Sequence, residues 1–191
     1  MKKLVLLGLV AITLFTNCSK QTEAPIEKKI DWTKSSITIM NSLRPKLLTS
    51  WKIKEVHVTP FAPNTSEIGI FKDSILYNLG DLNINQINNS SAYETGNDVT
   101  GVIKFKTKYY PVGFRMLANP ERIVKNTGSQ VFALFEYRFP VGSHITEPEE
   151  SYLSNLTLIN SNFEIEMSED GRVMIWKGLN RAIKSIRFEK Y

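Results

Sequence analysis

Asn162–Lys190 reads NFEIEMSEDGRVMIWKGLNRAIKSIRFEK. Phe163, Ile165 and Met167 alternate with Glu164 and Glu166. That period of two predicts a half-buried strand, apolar side inward and both glutamates in water. SEDGR (168–172) follows as a hairpin turn, with Gly171 at the position that tolerates positive φ. VMIW returns, and AIKSIRFEK forms the last strand with Ile186 and Phe188 inward. Strands joined this closely run antiparallel, since a parallel pair needs a crossover of a dozen residues or more.

The same pattern extends upstream. WKIKEVHV (51–58) alternates, but its phase slips between Ile53 and Val56, which predicts a bulge. DSILYNLGDLNI (73–84) alternates either through Ile75, Tyr77 and Leu79 or through Leu76, Leu82 and Ile84. VIKFKTK (102–108) sets Ile103, Phe105 and Thr107 against Lys104, Lys106 and Lys108. YPVGFRM (110–116) and QVFALFEYRF (130–139) place Tyr110, Val112, Phe114, Met116, Val131, Ala133, Phe135, Tyr137 and Phe139 inward. Eight to ten short strands separated by polar Gly/Asn/Pro segments predict an antiparallel sandwich or an up-and-down barrel. One helix precedes them. In DWTKSSITIMNSLRPKLL (31–48), Asp31 or Thr33 caps a helix whose apolar stripe is Ile37, Met40, Leu43 and Leu47, and Pro45 limits its end; Ile37-Thr38-Ile39 is also compatible with the start of a strand.

The amino terminus has a different logic. Lys2 and Lys3 precede an apolar run from Leu4 to Phe15, too short to cross a bilayer, which takes roughly 20 such residues. The run ends at LFTNCSK, which holds Cys18, the chain's single cysteine. This resembles a bacterial lipoprotein signal of the looser Bacteroidota type, with Phe15 and Asn17 where the pattern prefers Leu and a small residue. The resemblance implies cleavage before Cys18 and acylation of its sulfur and new amino terminus. Two or three acyl chains hold a folded body stably on a membrane surface. Residues 1–17 are then a signal peptide and 18–30, polar and carrying Pro25, a flexible tether. Residues 31–191 are one domain at the cell envelope, on the outer membrane.

Removing 17 of 191 residues leaves ample chain for a single core. The loss of Lys2 and Lys3 takes the net charge from +5 to a mild +3, 22 basic residues against 19 acidic. No basic cluster interleaves with aromatics, so nucleic acid is not expected as a partner. With Cys18 acylated there is no thiol chemistry, and His57 and His144 lack metal-ligand spacing. No metal or cofactor is expected.

The order of helix, then LLTSWKIKEV (47–56), then a meander ending in FEIEMSEDGRVMIWKGLNRAIKSIRFEK, resembles the lipocalin-like domains of Bacteroidota lipoproteins. Trp51 matches the tryptophan that closes one end of such a barrel, and Thr49 stands where the family has glycine. The resemblance implies that Arg187 or Arg181 packs across the Trp51 ring. It also implies an interior that takes a small apolar ligand, lined by Tyr110, Phe114, Phe135 and Tyr137. Phe105, Phe163 and Trp176 also point inward, and side chains this bulky could fill the barrel instead. The protein would then serve as a partner-binding module of the envelope.

Catalysis is not expected. His57 and His144 sit in no triad motif, and the Glu164/Glu166 pair reads as the wet face of a strand rather than a glycosidase pair. Glu147, Glu149 and Glu150 form an acidic loop without calcium-loop spacing. Asp73-Ser74-Ile75 resembles the O-glycosylation acceptor of exported Bacteroidota proteins.

Overall fold

The computed structural model describes residues 30–59, 66–71, 73–86, 99–137, 146–179 and 182–191. Asp31–Tyr191 is one compact unit. It consists of α1 (Trp32–Leu47), β1 (Ser50–Val58), a 3-10 turn (Ser66–Ile68), β2 (Ile75–Gln86), β3 (Val99–Phe105), β4 (Lys108–Ala118), α2 (Pro120–Lys125), β5 (Val131–Tyr137), α3 (Pro148–Asn155), β6 (Ser161–Met167), β7 (Val173–Gly178) and β8 (Ile183–Lys190). Each strand pairs antiparallel with the next, and β8 pairs back onto β1. The sheet is a closed eight-stranded up-and-down barrel with a helix before it, as the resemblance implied. Closure leaves no free edge.

Period-two alternation puts Trp51, Leu82, Ile103, Val112, Phe135, Phe163, Trp176 and Phe188 inside, all essentially buried. The phase slip in β1 is a register shift between Ile53 and Glu55 against both neighbours. On the β2 side the extra residue belongs to β2, where Asn78 takes φ 51°. That bulge settles the choice of phase. Leu82 and Ile84 are buried, whereas Ile75 and Tyr77 face out.

Several expectations are corrected. Thr107 lies in the turn after β3, not on its inner face, with Lys106 at φ 55°. Ile37 is 56% exposed, and α1 instead turns Ile39, Met40, Leu43 and Leu47 toward the core. Asp31 caps α1 by accepting from the Lys34 amide, and the helix runs two residues past Pro45. Gly171 does take positive φ (67°) in the β6–β7 hairpin.

Two short helices stand between strands where only polar connecting segments are expected. Asn119 caps α2 by accepting from the Arg122 amide, Pro120 follows in its first turn, and Asn126 ends it left-handed. Pro148 opens α3, with Glu149 and Glu150 in its first turn. Strand alternation assigns each a place. α1 and α2 lie where β1 begins and β4 ends. α3 lies at the other end, between β5 and β6.

α2 explains a further correction. Glu164, expected in water, is 8% exposed because Arg122 of α2 covers it in an ion pair. The Arg122 guanidinium also lies 5.8 Å from the Phe132 ring centroid. Glu166 is held by Lys177 at 2.6 Å and by the Ser129 hydroxyl at 2.7 Å. The glutamate pair thus fastens α2 and its following turn to the wall.

Candidate functional site

The four expected ligand-binding residues do come together inside the barrel. Phe114 on β4 and Phe135 on β5 are register partners, and their rings stack at 4.6 Å. Trp176 of β7 meets both edge-on at 5.5 and 5.4 Å, with Phe163 at 5.4 Å and Phe188 at 5.0 Å. Five aromatic side chains therefore fill the middle of the barrel with edge-to-face and stacked contacts. Among the described residues, Trp176 Nε1 and Ser161 Oγ lie inside without a hydrogen-bond partner.

Above this layer, toward α3, lie Tyr110 and Tyr137, 6.2 Å apart and tilted. The Tyr110 hydroxyl donates to Glu147 at 3.4 Å, and the Tyr137 amide donates to Asn160 Oδ1 at 3.0 Å. Burial raises the pKa of both phenols, and the Glu147 charge adds to each. Over the tyrosines sits α3. Its Tyr152 stacks on Phe105 at 5.4 Å, and Leu153, Leu156, Leu158 and Ile159 are buried beneath it.

Lys108, where β4 begins, fastens this helix. Its ammonium lies 2.9 Å from Glu147 and 3.1 Å from Glu149, and Lys106 lies 3.6 Å from Glu149. Donating to both glutamates raises the Lys108 pKa, and Lys108 in turn lowers that of Glu149. The acidic segment read as a loop is thus the charged first turn of α3, with Glu150 buried at 4% exposure. The Pro-Glu-Glu start after a polar stretch was the available signal.

At the opposite end, buried Trp51 donates from Nε1 to the Leu47 carbonyl at 3.0 Å. Arg187 does not lie across its ring. Ile186 and Phe188 are the inward pair, so Arg187 between them points out and bonds Glu189 at 3.1 Å. Arg181, Cys18 and His144 lie outside the described residues, as does Phe139.

His57 points outward, 3.2 Å from Glu55 on the same strand, with Ser185 as its cross-strand neighbour. These three are spread along the half-exposed outer wall. Among the described residues, no group of three or more His, Cys, Asp or Glu is placed to hold a metal, and no helix is long and apolar enough to cross a membrane. Ser74, at the start of β2, donates its hydroxyl to the Phe71 carbonyl. Among the described residues, three clefts open outside the aromatic layer, the smallest beside Asp170, Arg172 and Lys190. One of about 540 Å3 lies beside α1, bounded by Ile39, Leu43, Val131 and Met167. Another, about 550 Å3, lies on the outer wall of β1–β4.

No protein-family model, curated protein or solved structure matches the chain.

Proposed function

We propose that the protein is a lipid-anchored, non-enzymatic binding module of the cell envelope, held to the outer membrane through Cys18. In this reading the barrel is a rigid scaffold, and contacts with an envelope protein are made by its outer wall and the α3 rim. The observation that carries it is the aromatic layer around Trp176, packed at centroid distances of 4.6 to 5.5 Å. A barrel of eight strands is just wide enough for its own side chains or one small ligand. Cys18→Ala is expected to move the protein from the membrane to the soluble fraction, and crosslinking in cells is expected to give one discrete adduct. A Cys18→Ala protein that stays membrane-bound would remove the anchor, and the absence of any adduct would remove the partner.

A second reading has its own observation. Trp176 Nε1 and Ser161 Oγ are buried donors without partners, and such groups cost about 1–3 kcal/mol each. A small, mainly apolar ligand with a hydrogen-bond acceptor would satisfy them, with Phe114, Phe135, Tyr110 and Tyr137 repacking around it. Native mass spectrometry of the detergent-extracted protein separates the two. A co-purifying small molecule, lost in Ser161→Ala, favours the ligand, and bare protein favours the filled scaffold.

A further inference from the structure

The cleft on the outer wall of β1–β4 brings aromatic and polar side chains together. Register places Lys52, Asp81, Lys104 and Tyr109 in one row across four strands. Ser50, Asn83, Val102 and Pro111 form the next row. The flanking residues Trp51, Leu82, Ile103 and Tyr110 are buried, so every member of the two rows faces out. The chain's last residue completes the cleft. The Tyr191 amide donates to the Ser50 carbonyl at 3.5 Å, and its hydroxyl donates to Asp81.

Two tyrosine rings thus flank a polar floor. Tyr191, 74% exposed, reaches β2 from one side, and Tyr109, 65% exposed, rises from β4 on the other. The Tyr191 backbone stands beside β1, and its hydroxyl, at Asp81 on β2, ends two strand spacings, about 10 Å, from the strand that carries Tyr109. Between the rings lie the acceptor Asp81, the amide Asn83, the ammonium of Lys104 and the apolar patch of Val102. The strands fix Tyr109 and the floor, and the bonds to Ser50 and Asp81 hold Tyr191, before any ligand arrives, which lowers the entropy cost of binding.

We propose that this cleft is a saccharide-binding site for a neutral or weakly charged oligosaccharide. A hexose ring has an apolar C–H face that lies on an aromatic ring and hydroxyls that each donate and accept. Asp81 accepts, Lys104 donates, and Asn83 does both. Other ligand classes fit worse. An acyl chain would strip water from a carboxylate and an ammonium and return no hydrogen bond. A phosphate or sulfate would face Asp81 in the middle of the floor. The site stands on the outer wall of the barrel, so it does not depend on acylation of Cys18 or on what fills the interior.

The test uses the detergent-extracted protein in a non-glycosidic detergent and three probes, maltohexaose, cellohexaose and N-acetylchitohexaose, with titration calorimetry as readout. At least one probe is expected to bind saturably at millimolar concentration or below. Tyr109→Ala and Tyr191→Ala are each expected to weaken it at least tenfold, roughly the 1.4 kcal/mol that separates a decade. Tyr77→Ala removes another exposed tyrosine, outside the cleft, and is expected to leave binding unchanged. All three positions are exposed, so far-UV and near-UV circular dichroism will establish that the variants fold. The proposal is overturned if no probe saturates, or if Tyr109→Ala and Tyr191→Ala bind as the parent does. Binding of heparin alone, abolished by salt, would make the cleft an anion site and overturn it equally.

Discussion

At the α1 end the barrel is shut by a buried indole whose N–H reaches the Leu47 carbonyl, with Met40 and Leu47 of the helix against the core. At the α3 end an apolar plug of Leu153 and Leu156 also closes the wall, but Lys108, Glu147 and Glu149 fasten the helix above it in water. The first closure rests on burial and one neutral hydrogen bond, and salt and pH hardly touch it. The second adds charges that solvent screens and protons remove. The α1 closure is therefore indifferent to its medium where the α3 closure responds to it, and the responsive closure covers the two buried tyrosines.

The largest test of that contrast is Trp51→Ala. Removing a fully buried tryptophan is expected to cost about 3–5 kcal/mol in a urea melt, with unchanged behaviour across salt concentrations. A cost below about 1 kcal/mol would mean that α1 closes nothing. Next is Gly178→Ala, where β7 reaches the α3 end. A Cβ there would sit 1.9 Å from the Ile183 carbonyl oxygen, so backbone must move. We expect about 1–3 kcal/mol of destabilisation, the range for overpacking. A neutral result would show that this corner yields, contrary to the close approach of the two strands.

Ser161→Ala reverses the sign. It deletes a buried hydroxyl without a partner, and a gain of about 1 kcal/mol is expected in the same melt. A loss of that size would mean that the hydroxyl is satisfied in solution.

The smallest effect is local. Lys108→Met is expected to speed hydrogen exchange in 148–155 and leave exchange in 32–47 as it was. Acid should act in the same place. The Lys108 hydrogen bond lowers the Glu149 pKa, so the contribution of the pair is present above the ordinary carboxylate value of about 4.3 and fades as pH falls through the folded-state value. The raised Lys108 pKa keeps its contribution full below the ordinary lysine value of about 10.4 and removes it only in stronger alkali. Protection at the α3 end, taken relative to the intrinsic pH-dependent exchange rate, should therefore be flat between those limits and fall on the acid side first. Equal acceleration at both ends would abolish the contrast.

Alternation recovers most strands and their inner faces, because a period of two on an antiparallel wall leaves most side chains a single option. It leaves β2 with two phases, however, and misplaces Thr107. Phe114, Phe135, Tyr137, Phe163 and Phe188 all point where their spacing put them. The bulge was legible too, as the slip in WKIKEVHV. Where reading failed, the cause was an element far away in sequence. Glu164 alternates like a solvent-facing residue and is covered by Arg122, 42 positions earlier, on a helix whose Asn-Pro start went unused. Arg187 fails for the converse reason. It has the right residue type near the right tryptophan, but its own alternation turns it outward to Glu189.

The sequence by itself determined the class of the fold, the inner face of nearly every described strand and the one helix before them. These depend on local period and on which side chains avoid water. Only the tertiary structure decided what meets across the barrel. Trp176 becomes the hub of five aromatics, Lys108 fastens a helix some 40 residues away, and Tyr191 crosses to Asp81 on β2. Those meetings depend on shear, bulges and closure of the whole sheet, geometric quantities that no stretch of ten residues carries.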